Sequence, residues 1–257
     1  MLLNEIQAAL AGARIEIRYQ PVVRLGDRGL VWLEALARLN HPERGTVLPE
    51  DFVPQLEDAG LAGQLAELVV ASVFADMSGA ALAPLGLSVS LNFPLDVLVG
   101  TSALARLDSE RRAAGIPAER VIVELTESQP VHDFAALRGA VEQLRSGGYQ
   151  VMIDDVGPAV PELDRLLDLP FTGVKLDKAL VHNLTTVSDA VVEVQRIIDI
   201  ARRRSLTVVA EGVENAAVWH RLVTLGADQA QGFLVAQPLP AAEVPVWLAS
   251  WQKQPDF

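Results

Sequence analysis

The segment VIVELTESQPVHDFAALRGAVEQLRSGGYQVMIDDVGPAVPELDRLLDLPFTGVKLDK, residues 121–178, carries the alternation that decides the fold. It opens on a short apolar run at 121–125, apolar on both faces as a strand covered from both sides must be. Pro130 then suits a first helical turn. Phe134, Leu137, Val141 and Leu144 recur on one face, and Gly147-Gly148 stops the pattern. Further apolar runs follow at 151–153 and 173–176. Strands alternating with helices read as a largely parallel α/β sheet.

The same rhythm extends outward in both directions. Runs at 16–23, 31–36, 87–91, 207–210 and 228–232 bring the strands to the eight that a closed (β/α)8 barrel needs. A helix is predicted at 61–77 after Gly60. Another is predicted to be capped by Ser188, with Val191, Val194, Ile198 and Ala201 on its apolar stripe. No repeat or flexible linker marks an internal boundary, so residues 1–257 read as one domain.

Composition narrows the function. Without cysteine there is no disulfide, thiolate nucleophile or zinc–thiolate site. A net charge of −12 argues against a nucleic-acid polymer as partner; the basic run Arg202-Arg203-Arg204 ends a helical pattern, where it complements the helix dipole. Residues 77–95 carry no charge and are long enough to span a bilayer, but Gly79, Pro84, Gly86, Asn92 and Pro94 break them into a loop and a buried strand. The opening MLLNEIQAAL lacks a secretory layout. The expectation is a cytoplasmic protein with no membrane segment in this chain.

Polar residues cluster where the strands end. Glu34 ends the second, Asn92 follows the third and Glu124 lies near the end of the fourth. Asp154-Asp155 follows the fifth, Lys175 lies in the sixth, Glu211 follows the seventh and Gln231 is at the eighth. Strand ends ring the mouth of a barrel, where active sites lie. Taken singly, each has a plain structural explanation: a turn or cap for the Asp pair, an ion pair from Glu34 to Arg38, a turn at Asn92. Convergence at one end argues for a site, because an unpartnered polar group in a barrel strand is costly. Five carboxylates and an amide offer oxygen ligands suited to Mg²⁺ or Mn²⁺, and adjacent aspartates let one carboxylate bridge two ions. Lys175 would add a fixed charge; as a Schiff-base lysine it would instead point to a lyase or isomerase. His41, His132, His182 and His220 lack metal-ligand spacing and read as structural or solvent-facing, and the four tryptophans read as packing residues.

These positions also carry a resemblance. The stretch from Tyr19 through Glu34-Ala35-Leu36 resembles the opening of EAL-domain cyclic-di-GMP phosphodiesterases. SVSLN, VELTE, IDDVG, VKLDKALV, VVAEGVEN and LGADQAQGFLVAQPLP follow in the family's order, covering about residues 19–248. The resemblance implies a modified TIM-type barrel whose first strand runs antiparallel, and hydrolysis of cyclic di-GMP to linear pGpG with two Mg²⁺ or Mn²⁺ ions. By similarity Glu34, Asn92, Glu124 and Asp154 hold one ion, and Asp154 and Asp155 the second. Lys175 and Glu211 flank the attacking water, and Gln231 matches an active-centre glutamine. Gln20, Leu36, Arg38, Asp177 and Glu214 match nucleotide contacts. Glu127 matches the residue that supports the loop after the paired aspartates. That loop departs from the family: DDVGPAVPEL stands where DDFGTGYSSL is usual, so Pro161 replaces a hydroxyl that Glu127 would hold. The departure bears on metal binding, on turnover and on dimer contacts, and it keeps open an alternative: a receptor that binds cyclic di-GMP with little turnover. A second copy of the chain, as a homodimer, or a regulatory domain is the expected protein partner.

Overall fold

Five residues set the direction of the first strand. β1 (Ile15–Arg24) and β2 (Leu30–His41) are joined by residues 25–29 alone, far short of the dozen or more that a parallel crossover requires. Asp27 shapes the turn: its Oδ1 accepts from Gly29 N–H at 2.9 Å, and the Arg24 guanidinium grips both carboxylate oxygens. β1 is therefore antiparallel to β2, paired from Ile15 opposite Leu39 to Val23 opposite Leu30.

The computed structural model describes residues 3–12, 14–94, 101–126, 134–158, 160 and 163–254. From β2 the barrel proceeds through parallel β4 (Ser88–Pro94), β5 (Val121–Thr126), β6 (Gln150–Val156), β7 (Gly173–Leu176) and β8 (Thr207–Ala210). β9 (Gln229–Ala230) is parallel to β8 and antiparallel to β1, which closes the ring. β3 (Gly45–Val47) and β10 (Leu239–Pro240) add short antiparallel pairings to β2 and β1. The barrel strands lie where the apolar runs put them, and those at 173–176 and 207–210 keep the expected bounds. β2 runs on to His41 because β3 folds back on it; β9 is shorter than 228–232.

The helices are α1 (Leu3–Ala11), α2 (Pro49–Asp58), α3 (Ala62–Ser78), α4 (Thr101–Ala113), α5 (Phe134–Ser146), α6 (Leu163–Leu166), α7 (Lys178–His182), α8 (Ser188–Arg203), α9 (Ala216–Leu225) and α10 (Val244–Trp251). Ser188 is not a cap. It is the first residue of α8, and Val187 at the cap position makes no side-chain hydrogen bond; Asp189 puts the favourable negative charge in the first turn instead. Pro130 lies outside the described residues. Residues 77–94 end α3, turn at 83–85 and form β4, and no helix among the described residues is long and apolar enough to cross a membrane.

Apolar residues fill three distinct spaces, one of them a small cluster of Ile6, Leu10, Leu39, Phe52, Leu56 and Leu65 beside the N-terminal helices. The main core lies between sheet and helices, with Leu33, Leu91, Val123, Val174 and Ile197 among its buried members. Inside the barrel, Val22, Trp32, Ile122, Met152 and Val209 form a separate plug. Gly173 is required there: a Cβ at this position would collide with Met152 Cε and the Thr207 carbonyl. Trp32, Trp219 and Trp251 are buried, as expected for packing residues.

β1 is anchored to α3 by Tyr19, fully buried, whose hydroxyl donates to Asp76 Oδ2 at 2.7 Å. A hydrogen bond to a charged group contributes roughly 1.5–3 kcal/mol. Tyr19→Phe should lower the unfolding free energy by about that amount, read as a lower denaturant midpoint at unchanged slope.

Candidate active site

Strand periodicity builds the site. Side chains two residues apart share a face, so on the parallel strands an inward residue at the level of the apolar plug is followed by a polar one nearer the mouth, while on antiparallel β1 Gln20 precedes Val22. Trp32 is followed by Glu34, Ile122 by Glu124, Met152 by Asp154, Gly173 by Lys175 and Val209 by Glu211. Closure of the barrel brings these groups together over an apolar layer.

Lys175 is the centre of the assembly. Its ammonium is fully buried and lies 3.1 Å from Glu124 Oε2, 3.1 Å from Asp154 Oδ1, 2.5 Å from Glu211 Oε1 and 3.5 Å from Glu34 Oε1. Asn92 Nδ2 donates to Glu34 Oε1 at 3.0 Å. Gln231 Nε2 donates to Glu34 Oε2 at 2.6 Å and to Gln20 Oε1 at 2.9 Å.

The electrostatics follow from crowding. Burial alone would favour a neutral lysine, but the surrounding carboxylates outweigh it and hold the ammonium well above its ordinary pKa. Burial, then mutual repulsion, pushes Glu124 and Glu211 well above the carboxylate range. Burial and the neighbouring Asp154 raise Asp155 to about 6. Glu34 alone moves down: burial opposes ionisation, yet Lys175 and the amides of Asn92 and Gln231 overcome it. One ammonium cannot balance this many carboxylates, so the site favours further cations.

The donor set fits divalent metal ions. Glu34, Glu124 and Asp154 offer oxygens that lie within 4.8 Å of one another, and so do Asp154, Asp155 and Glu211; Asp154 is common to both groups. Glu124 Oε1 is buried with no protein partner, although a polar oxygen left without one is costly. All the donors are oxygens, which suits Mg²⁺ or Mn²⁺. Asp154 and Asp155 reach a common centre because the β6 register shifts after Ile153 and Asp155 takes φ 54°, which breaks the alternation that would turn neighbours apart.

The remaining expected residues stand apart from this cluster. Leu36 lines a neighbouring groove of about 450 Å³ that also borders Asn92, Asp155, Val53 and Leu65. Arg38 does not pair with Glu34, as the ion-pair reading of that glutamate required; it lies on the same face of β2, nine-tenths buried, and donates to the Ala37 carbonyl at 2.8 Å. Asp177 caps α7, its Oδ1 accepting from Leu180 N–H at 3.0 Å. Glu214 is half-exposed and 3.3 Å from His182 Nε2, a partnership that histidine spacing in the sequence did not disclose. Glu127, Pro161 and Glu162 lie outside the described residues. Val160 packs partly buried against the main core.

Comparison with known proteins agrees with this architecture. The sequence profile of the EAL domain matches residues 3–238. The bifunctional diguanylate cyclase/cyclic di-GMP phosphodiesterase MucR of Pseudomonas aeruginosa is 32% identical over 247 residues, 95% of this chain and 36% of that protein. The cyclic di-GMP phosphodiesterase RocR of the same organism is 31% identical over 238 residues, 92% of this chain and 60% of that protein. The chain thus spans less than two thirds of the length of these relatives. Among solved structures, the PaMucR phosphodiesterase in complex with c-di-GMP superposes with a TM-score of 0.88 at 29% identity, over 94% of this chain and 98% of that one. The EAL enzyme Bd1971, with cAMP and cyclic di-GMP bound, gives 0.89 at 26% identity over 95% of this chain and 67% of that one. With the profile matched over nearly all its length, the chain belongs to the EAL domain family.

Proposed function

We propose that this chain hydrolyses one phosphodiester of cyclic di-GMP to give linear pGpG, with two Mg²⁺ or Mn²⁺ ions in the barrel mouth. The observation that carries this reading is the pair of carboxylate groups sharing Asp154. Glu34, Asn92, Glu124 and Asp154 would hold one ion, and Asp154 and Asp155 the other. Bound ions of this kind polarise phosphoryl oxygens and acidify water.

The protein groups have separable tasks. Water oxygen bonds to phosphorus as the P–O bond to the ribose breaks; Glu211, ionised once cations offset the neighbouring carboxylates, takes the water proton, and the leaving ribose oxygen takes a proton from solvent. Lys175 stays protonated and supplies charge where it develops in the transition state. An ammonium held by four carboxylates has no free amine lone pair, so the Schiff-base reading loses its nucleophile. Arg38 is offered as the phosphate clamp, with Leu36, Asp177 and Glu214 along the nucleotide. The complete ligand set favours the enzyme over the receptor alternative.

Incubation with cyclic di-GMP and Mn²⁺ or Mg²⁺ should yield pGpG, and chelation should abolish it; binding without product would establish the receptor. Glu34→Ala should abolish turnover. Lys175→Met should lower kcat by roughly 100-fold or more while sparing nucleotide affinity. Because that change leaves buried carboxylates uncompensated, its folding should be checked by circular dichroism.

Protons and metal compete for the same oxygens. Asp155, Glu124 and Glu211 all have raised pKa values, so each takes up a proton at a higher pH than an exposed carboxylate. Mn²⁺ affinity should fall as pH drops through about 6, where Asp155 protonates. The metal-free fold should respond in the opposite sense. A carboxyl raised on folding favours the fold below its unfolded pKa and loses that advantage as pH rises through the folded value. Asp155→Asn should therefore raise the metal-free melting temperature above about pH 6 and leave it unchanged in strong acid. The reverse order in a pH series of thermal melts would contradict the assignment.

A further inference from the structure

We infer that Gln20 is a positioning residue: through Gln231 it fixes the aim of Glu34, and it does not contact the nucleotide. The inference rests on the proposed metal site. Three buried side chains form the relay, with Gln20 9%, Gln231 3% and Glu34 5% exposed. They come from β1, from the segment after β9, and from β2, and Gln20 stands directly opposite Glu34 in the antiparallel register.

The ends of the relay dictate how each amide points. The Ala236 carbonyl can only accept, so the atom facing it at 3.0 Å is Gln20 Nε2. Gln20 Oε1 therefore faces Gln231, and the atom meeting it at 2.9 Å is Gln231 Nε2. The second hydrogen of that nitrogen goes to Glu34 Oε2 at 2.6 Å, an ionised oxygen that also only accepts. Flipping either amide would set acceptor against acceptor.

Two consequences follow. Gln20 has its carbonyl engaged by Gln231 and one N–H engaged by the backbone, so each polar atom of this buried amide already has a protein partner. Gln231 has both N–H hydrogens committed, and its Oε1 is buried without a protein partner. It thus presents an acceptor: it can hold a water, a hydroxyl or a cation, and it cannot donate to a phosphate oxygen. Glu34 is gripped on both oxygens, by Gln231 on one and Asn92 on the other, which leaves its carboxylate plane fixed before any ion arrives. Outer partners of this kind typically contribute about 10–100-fold to metal affinity.

The test is Mn²⁺ titration of the full chain, without nucleotide, read by electron paramagnetic resonance of the free ion. Gln20→Met and Gln231→Met should each weaken Mn²⁺ binding by roughly 10-fold. The double variant should bind no worse than Gln231→Met alone, because both act through one path. Cyclic di-GMP affinity in EDTA should be unchanged in Gln20→Met. Unaltered Mn²⁺ binding in Gln20→Met, additive losses, or a fall in nucleotide affinity alone would overturn the relay. If the parent binds Mn²⁺ but cleaves nothing, the hydrolase reading fails while the relay stands. If the parent binds no Mn²⁺, both fail.

Discussion

A single buried ammonium surrounded by carboxylates is the constraint on which the barrel mouth depends. Lys175 has no exposure to water, so its charge survives only because Glu34, Glu124, Asp154 and Glu211 approach it from four other strand ends. The dependence runs both ways. Without the lysine, four acidic groups would face one another in a site with little water, and most would protonate or push apart. The arrangement also needs strands held in register, since a slip of one residue would turn every inward group to the helix side.

That register is supplied from below. The plug of Val22, Trp32, Ile122, Met152 and Val209 occupies the same faces one step nearer the barrel floor. Stability and chemistry thus alternate along single strands, the apolar residue locking the backbone that aims the polar one. Gly173 shows how tight the lower layer is, since its missing side chain makes room for Met152 directly beneath Lys175.

Much of this was legible in the sequence, for definite reasons. Apolar runs separated by helical stripes reveal strands, and polar residues at their ends reveal the mouth, because both depend on local spacing. The direction of β1 is not in the apolar pattern. It is in the connection, where five residues built on Asp27 and Gly29 leave room only for a hairpin. Other features depend on contacts made between distant segments. Nothing near Gln20 announces that it joins Gln231, and nothing near Asp177 announces that Leu180 N–H takes one of its oxygens. His182, at the end of α7, seemed isolated because its partner Glu214 lies in a segment distant in sequence. Ser188 had the chemistry of a cap but entered the helix one position late.

The paired aspartates show where local rules give way. In a regular strand, Asp154 and Asp155 would point to opposite faces, and only one could serve the mouth. The chain departs from the strand at that point: register shifts after Ile153, and Asp155 adopts a left-handed backbone at φ 54°. Aspartate is among the few residues other than glycine that tolerate this region, because its short polar side chain can bond locally. The Asp155 N–H donates to Asp154 Oδ1 at 2.9 Å, so the same twist that turns the second carboxylate inward also steadies the first. A backbone irregularity held at the end of an otherwise regular strand is thus what turns two neighbouring aspartates into a shared set of ligands. It lies where β6 has already paired with β5 up to Asp154, and the barrel below it is undisturbed.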